Sequence, residues 1–129
     1  MAVKFLTDDW VVAVHEAINA HDGFKGAAAG ITLAMQFNVS DVPEGSITAY
    51  YLKLDEGAPT AAAGEIEGPD VGISSDYATS AAIAQGDLNT QTAFMTGKLK
   101  VTGNLAKLMM HQNVIQQWGA ATEAMDVEF

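Results

Sequence analysis

No cysteine occurs in the 129 residues. That excludes a disulfide framework, a thiolate nucleophile and a cysteine-built zinc site. Arginine is absent as well, so six lysines face 16 acidic residues and the formal net charge is −10. Such a chain repels nucleic acid, whose recognition needs clustered basic side chains. An anionic membrane surface is expected to repel it too, leaving weak membrane contact at most. The acidity reads first as a device for solubility. No apolar run reaches the roughly 20 residues of a spanning helix. No basic stretch precedes an apolar run at the N-terminus, as a secretory leader would require. Val127-Glu128-Phe129 is not a peroxisomal address, and a cytoplasmic protein is expected.

The marks of catalysis are missing too. His15 and His21 are six residues apart and do not share a helix face. No His-x-x-x-His or Glu-x-x-His pair falls on a predicted helix, so no metal is expected. His111 sits among apolar residues and reads as a half-buried, hydrogen-bonded side chain; His15 and Glu16 read as solvated. No Asp or Glu lies inside a strongly apolar run, where burial would raise its pKa. The serines lack a nucleophile elbow, and neither a phosphate loop nor a dinucleotide fingerprint is present. No cofactor and no enzymatic activity are expected.

What is present is apolar patterning, with 49% hydrophobic residues in a length that fits one domain over 1–129. Leu6, Trp10, Val14 and Ile18 recur at helical spacing, with Thr7 as N-cap and His21-Asp22-Gly23 as the end. Phe24 then turns back to the core. Residues 30–39 alternate strictly, Ile31, Leu33, Met35, Phe37 and Val39 against Thr32, Ala34, Gln36 and Asn38, which predicts a half-buried strand. Further strands are predicted over 46–55, 60–67 and 70–75. Short turns at Val42-Pro43-Glu44-Gly45, Glu56-Gly57-Ala58-Pro59 and Gly68-Pro69-Asp70 make an antiparallel meander of the four. Asp76 caps a short alanine-rich helix ending near Gly86, and Asn89 starts another through Met95. Residues 97–103 form a fifth strand, with Leu99 and Val101 opposite Lys98, Lys100 and Thr102. Asn104 caps a last helix to about Trp118, and the tail after Gly119 is expected to fray. The outcome is an α+β domain: a five-stranded, mostly antiparallel sheet with helices packed on one face.

The segment Phe94-Met95-Thr96-Gly97-Lys98-Leu99-Lys100-Val101-Thr102-Gly103-Asn104, continued by Leu105, Leu108, Met109 and Met110, closely resembles the C-terminal signature of the sterol carrier protein type-two domain family. Gly86-Asp87-Leu88-Asn89 matches the family's connection, and Phe5-Leu6-Thr7-Asp8-Asp9-Trp10 is similar to the opening of its bacterial single-domain members. The resemblance covers nearly the whole chain. It implies a hydrophobic tunnel between sheet and helices that takes a fatty acid, acyl-CoA, sterol or phospholipid, and no catalytic residues. The candidate lining is Leu33, Met35, Phe37, Phe94, Leu99, Val101, Leu105, Leu108 and Met109.

Two features of the residues bear on this. The last helix carries two stripes, one of Leu105, Leu108, Met109 and Gln112, the other of Met110, Val114 and Trp118. The second stripe faces either a ligand, or more protein, or a second copy of the chain. Methionines at 35, 95, 109, 110 and 125 suit a promiscuous apolar site, and equally an ordinary core. Lys98, Lys100 and Lys107 hold half the lysines within ten residues. They read either as an outward face kept soluble or as partners of a ligand carboxylate or phosphate. The expected partner is a lipid-like small molecule, carried or stored inside the cell. The alternative is an accessory module that presents lipid to a partner enzyme. Monomer and homodimer both remain open.

Overall fold

In the computed structural model, residues 3–85, 87–88, 90–123 and 125–128 are described. A two-residue strand, β1 (Val3–Lys4), leads into α1 (Asp8–Ala20). The Thr7 hydroxyl accepts from the Trp10 amide at 3.3 Å, and Asp8 and Asp9 occupy the first turn, where carboxylates complement the helix dipole. The four-residue spacing buries Trp10, Val14 and Ile18, with Val11 beside them.

The chain does not pass into a loop at His21-Asp22-Gly23. His21 Nδ1 accepts from the Phe24 amide at 2.9 Å and so caps a second helix, α2 (Asp22–Ala28). Phe24 turns back to the core as expected and is fully buried.

The five strands of the main sheet are β2 (Leu33–Ser40), β3 (Ala49–Asp55), β4 (Ala58–Ala63), β5 (Val71–Asp76) and, after two helices, β6 (Lys100–Gly103). Their order is β4-β3-β2-β5-β6, antiparallel throughout except for the parallel pair β2–β5. The four-strand meander is therefore corrected. β2, β3 and β4 form one, but β5 lies on the far side of β2. The buried Gln36 side chain, on the face away from the core, holds the crossing segment. Its amide nitrogen donates to the Tyr50 and Gly64 carbonyls at 3.2 and 3.1 Å, and its Oε1 accepts from the Ile66 amide at 2.8 Å. Residues 64–70 are thus spent on a crossover, which short-turn reasoning assigned to strand and hairpin.

Asp76 Oδ1 accepts from the Thr79 amide at 2.7 Å and starts α3 (Tyr77–Ala84). Next comes α4 (Thr90–Met95). Gly86 and Asn89, expected to end and start these helices, lie outside the described residues. β6 begins later than expected: Lys98 and Leu99 stand in the preceding turn, their amides bonded to the Ala93 carbonyl at 2.9 and 3.1 Å.

The last helix is two. α5 (Leu105–Met110) ends at His111, whose φ of −114° and ψ of 31° leave the helical region, and α6 (Gln112–Glu123) follows. α6 runs beyond Trp118, and β7 (Val127–Glu128) pairs in parallel with β1. The tail expected to fray is held because Ala121 is buried and Met125 and Val127 pack against the core.

Candidate functional site

The sheet register sorts apolar side chains into rows on the face covered by helices. One row is Leu52, Met35 and Val71, opposite Gly103. The next is Tyr50, Phe37, Ile73 and Val101. Burial falls along the second row. Phe37 and Tyr50 are buried and stack with ring centroids 4.8 Å apart, whereas Ile73 and Val101 are half-buried. Burial also pushes the Tyr50 hydroxyl above the ordinary phenol range. Trp118 of α6 sets the edge of its indole on Phe37, 5.0 Å between centroids, and Leu108 of α5 is half-buried against the same core. Side-chain burial is thus near complete at Phe37 and Tyr50 and partial toward β6.

The candidate lining residues divide accordingly. Leu33, Met35 and Phe37 belong to the packed core, and Leu99 is buried in the turn before β6. Val101 and Leu108 are half-buried against the core. Phe94, Leu105 and Met109 are 41, 40 and 59% exposed. The sheet sets Phe37 and Val101 in one row, and two residues outside the candidate set join it. Ile73 completes the row, a register partner that strand alternation alone could not align with β6. Trp118 carried a signal, its place on the second stripe of the last helix. Its Nε1 is buried without a hydrogen-bond partner.

The signature residues anchor the start of α5 beside the start of β5. Gly103 has a φ of +91°, and a Cβ there would stand 2.5 Å from the Asp70 carbonyl oxygen, so only glycine fits. The Asn104 amide donates to that carbonyl at 2.8 Å, while Asn104 Oδ1 accepts from the Lys107 amide at 3.0 Å. The Asp70 carboxylate accepts from the Ala34 amide at 2.9 Å and pairs with Lys107 at 3.1 Å. These contacts tie the starts of β2, β5 and α5 together. They also hold the Asp70 carboxyl below the usual carboxylate range, the Ala34 amide contributing most. Asp76 is lowered likewise, by its bonds from Thr79. Both carboxylates thus favour the charged form of a structural acceptor, the reverse of a general acid.

Two open cavities lie elsewhere. One of about 540 Å³ runs beside α1, lined by Val3, Thr7, Asp9, Val12, Glu16 and Glu128. The other, of about 890 Å³, is mixed in polarity and includes Ser74, Asp76, Thr79, Lys98 and Lys100. Neither contains a candidate lining residue. His15 is not simply solvated: its Nδ1 accepts from the Ala61 amide of β4 at 3.1 Å. Among the described residues no group of histidines and carboxylates could hold a metal, and no helix is long and apolar enough to cross a membrane.

Comparison with known proteins places this geometry in a group. Residues 15–116 match the SCP-2 sterol transfer family. Sterol carrier protein 2 of Gallus gallus is 32% identical over 85 residues, which are 66% of this chain and 16% of that protein. The crystal structure of sterol carrier protein 2 superposes with a TM-score of 0.78 at 25% identity, over 95% of this chain and 99% of that one. The fold also recurs within the stereoselective inverting sec-alkylsulfatase Pisa1 from Pseudomonas sp., with a TM-score of 0.54, 23% identity, and coverage of 70% of this chain but 14% of that one.

Proposed function

The chain belongs to the SCP-2 sterol transfer family, and from that membership we propose that it binds a long apolar ligand between the β5–β6 half of the sheet and helices α5 and α6. The observation that carries this is the fall in burial along Phe37, Ile73 and Val101, with Trp118 packed on Phe37. An apolar floor left half-covered by its own chain gains by taking up hydrocarbon. Each methylene removed from water contributes about 0.8 kcal/mol, so a chain of about 16 carbons gains on the order of 12 kcal/mol before ordering losses. The expected tunnel belongs to this reading, opened as α5 lifts or shifts on the Asp70 anchor. The Trp118 Nε1 supplies a buried donor for one ligand oxygen, a carboxylate, ester or hydroxyl. The role is that of a carrier or reservoir, with binding and no bond-making step.

Gentle purification followed by native mass spectrometry should show a mass increment of one lipid, and a fluorescent fatty acid should be displaced by unlabelled fatty acid. Val101→Gln, which puts a polar amide on the floor, should weaken binding by about tenfold. Protein that never carries lipid and never takes the probe would sink the proposal.

A second reading has a specific observation behind it: the fold also occurs as a minor part of a much longer alkylsulfatase chain. The domain then hands an alkyl substrate to an enzyme, and the exposed helices α4 and α5 supply the contact surface. A stable complex with one enzyme of lipid metabolism, lost on changing Leu105, favours it over free carriage.

A further inference from the structure

The cavity of about 890 Å³ lies at the carboxyl ends of β2 and β5, the parallel pair of the sheet. The last register partners there are Ser40 and Asp76. Beyond them one chain turns back toward β3, and the other enters α3. Parallel neighbours that leave in different directions part and open a crevice at their carboxyl ends, as the ligand crevices of open α/β sheets do. The floor of this one is a row across four strands: Ala49, Asn38, Ser74 and Lys100. These residues alternate with Tyr50, Phe37, Ile73 and Val101, so they stand on the sheet face away from the core.

The two ends of the row carry opposite charge. Lys100 stands at the β6 end, with Lys98 in the turn before it. At the β3 end the Gly64 amide donates to the Ala49 carbonyl at 2.9 Å, and the Ile66 amide to Gln36 Oε1 at 2.8 Å. Both neighbours of Glu65 are thereby pinned, and Glu65 lines the cavity beside Ala49. Asp41, just past the end of β2, adds a second carboxylate. The backbones of Ala49 and Lys100 are three strand spacings apart, about 14 Å. Across that gap the charges do not pair: among the described residues the one ion pair is Lys107 with Asp70. Asp76 also lines the cavity and lies near Lys98, but its Oδ1 is committed to the Thr79 amide at 2.7 Å. Two ammonium groups and two carboxylates are left around one polar floor.

We propose that this crevice binds a small soluble aminoalkyl phosphate, a molecule with a phosphate monoester at one end and a primary ammonium at the other. Opposite charges held apart around one cavity complement a single molecule that carries both. The phosphate, with a charge of about −2, takes Lys98 and Lys100. Lysine binds phosphate as a point charge and needs no arginine fork. The ammonium takes Glu65 and Asp41, and Asn38 and Ser74 offer hydrogen bonds in between. A plain anion fits less well, because three carboxylates line the same cavity. The site is on the other face of the sheet from the row of Phe37, Ile73 and Val101, so it stands whether or not that row takes a lipid.

The test is titration of the full chain with phosphoethanolamine, followed by amide chemical shifts and calorimetry. Shifts should move at Asn38, Glu65, Ser74, Lys98 and Lys100. Contacts this exposed each change affinity by up to about fivefold, so inorganic phosphate or ethanolamine alone should bind about fivefold more weakly. Glycerophosphoethanolamine, whose diester carries a single negative charge as in a lipid headgroup, should be weaker by about the same factor. Glu65→Gln should lower affinity for phosphoethanolamine about fivefold while leaving that for inorganic phosphate unchanged or higher. Lys98→Gln with Lys100→Gln should lower both by about tenfold. Lys25→Gln, an exposed lysine on α2, should change neither. The substituted side chains are all exposed, and circular dichroism should show the parent fold. Displacement of a fluorescent fatty acid should be unchanged in every variant, which tells failure here from failure of the interior site. No shift at these residues with millimolar phosphoethanolamine would overturn the proposal. So would equal affinity for phosphoethanolamine and inorganic phosphate, or variants that bind like the parent. A diester that binds as tightly as the monoester would assign the crevice to a lipid headgroup and overturn the soluble ligand.

Discussion

Gly103 and Asp70 show how single residues hold the functional end together. Gly103 combines a left-handed φ of +91° with a closest approach to the Asp70 carbonyl, whereas Gly30 has a φ of +73° and nothing within 4 Å. Gly30→Ala should therefore cost only the conformational term, about 1 kcal/mol. Gly103→Ala adds a backbone clash and should cost about 2 kcal/mol or more. Paired thermal melts check this, and equal losses would show that the clash is relieved elsewhere. Asp70 makes a second prediction. Its folded pKa is depressed, so the unfolded chain binds the proton more readily. The stability it contributes is complete above the ordinary carboxylate value of about 4 and is lost as pH falls through the lower folded value. Asp70→Asn keeps an acceptor for the Ala34 amide but removes the charge. Acid titrations followed by circular dichroism should find that variant less stable at neutral pH, with a shallower loss below about pH 4. A parent and variant with superimposable acid limbs would show that the carboxylate is not linked to folding.

At the scale of elements, the caps and periodicities could be read before any coordinates. Thr7, Asp76 and Asn104 cap the helices they precede, and alternation located β2 and β3 to within a few residues. Those signals are local, and a few neighbouring residues decide them. Pairing across the sheet is not local. The parallel partnership of β2 with β5 depends on Gln36 holding the loop at 64–66, a contact 30 residues away for Ile66. The same limit hid Ile73 from the candidate site. The break at His111 was invisible because the apolar pattern runs through it unbroken, and α2 because a histidine is a rare cap. His15 was likewise misread as solvated, since its partner is an edge-strand amide distant in sequence. His15→Ala should leave the Ala61 amide without its acceptor and cost about 1 kcal/mol, roughly 4 °C in melting temperature. Amide exchange should accelerate at Ala61 while the β2–β5 amides stay protected. Uniform acceleration would mean that the α1–β4 contact is not a separate unit.

At the scale of the molecule, charge acts through its sum. The 16 acidic residues outnumber the six lysines, and the fold sets Asp41, Glu65 and Asp76 around the same cavity as Lys98 and Lys100, so the acidic body repels itself. Self-repulsion weakens the compact state. Raising salt from about 10 to about 150 mM shortens the screening length from roughly 30 to roughly 8 Å. The body's carboxylates then feel each other less, and the melting temperature should rise. Melting curves between about 10 and about 150 mM salt check this, and an unchanged or falling melting temperature would show that the carboxylates do not weaken the fold through their sum.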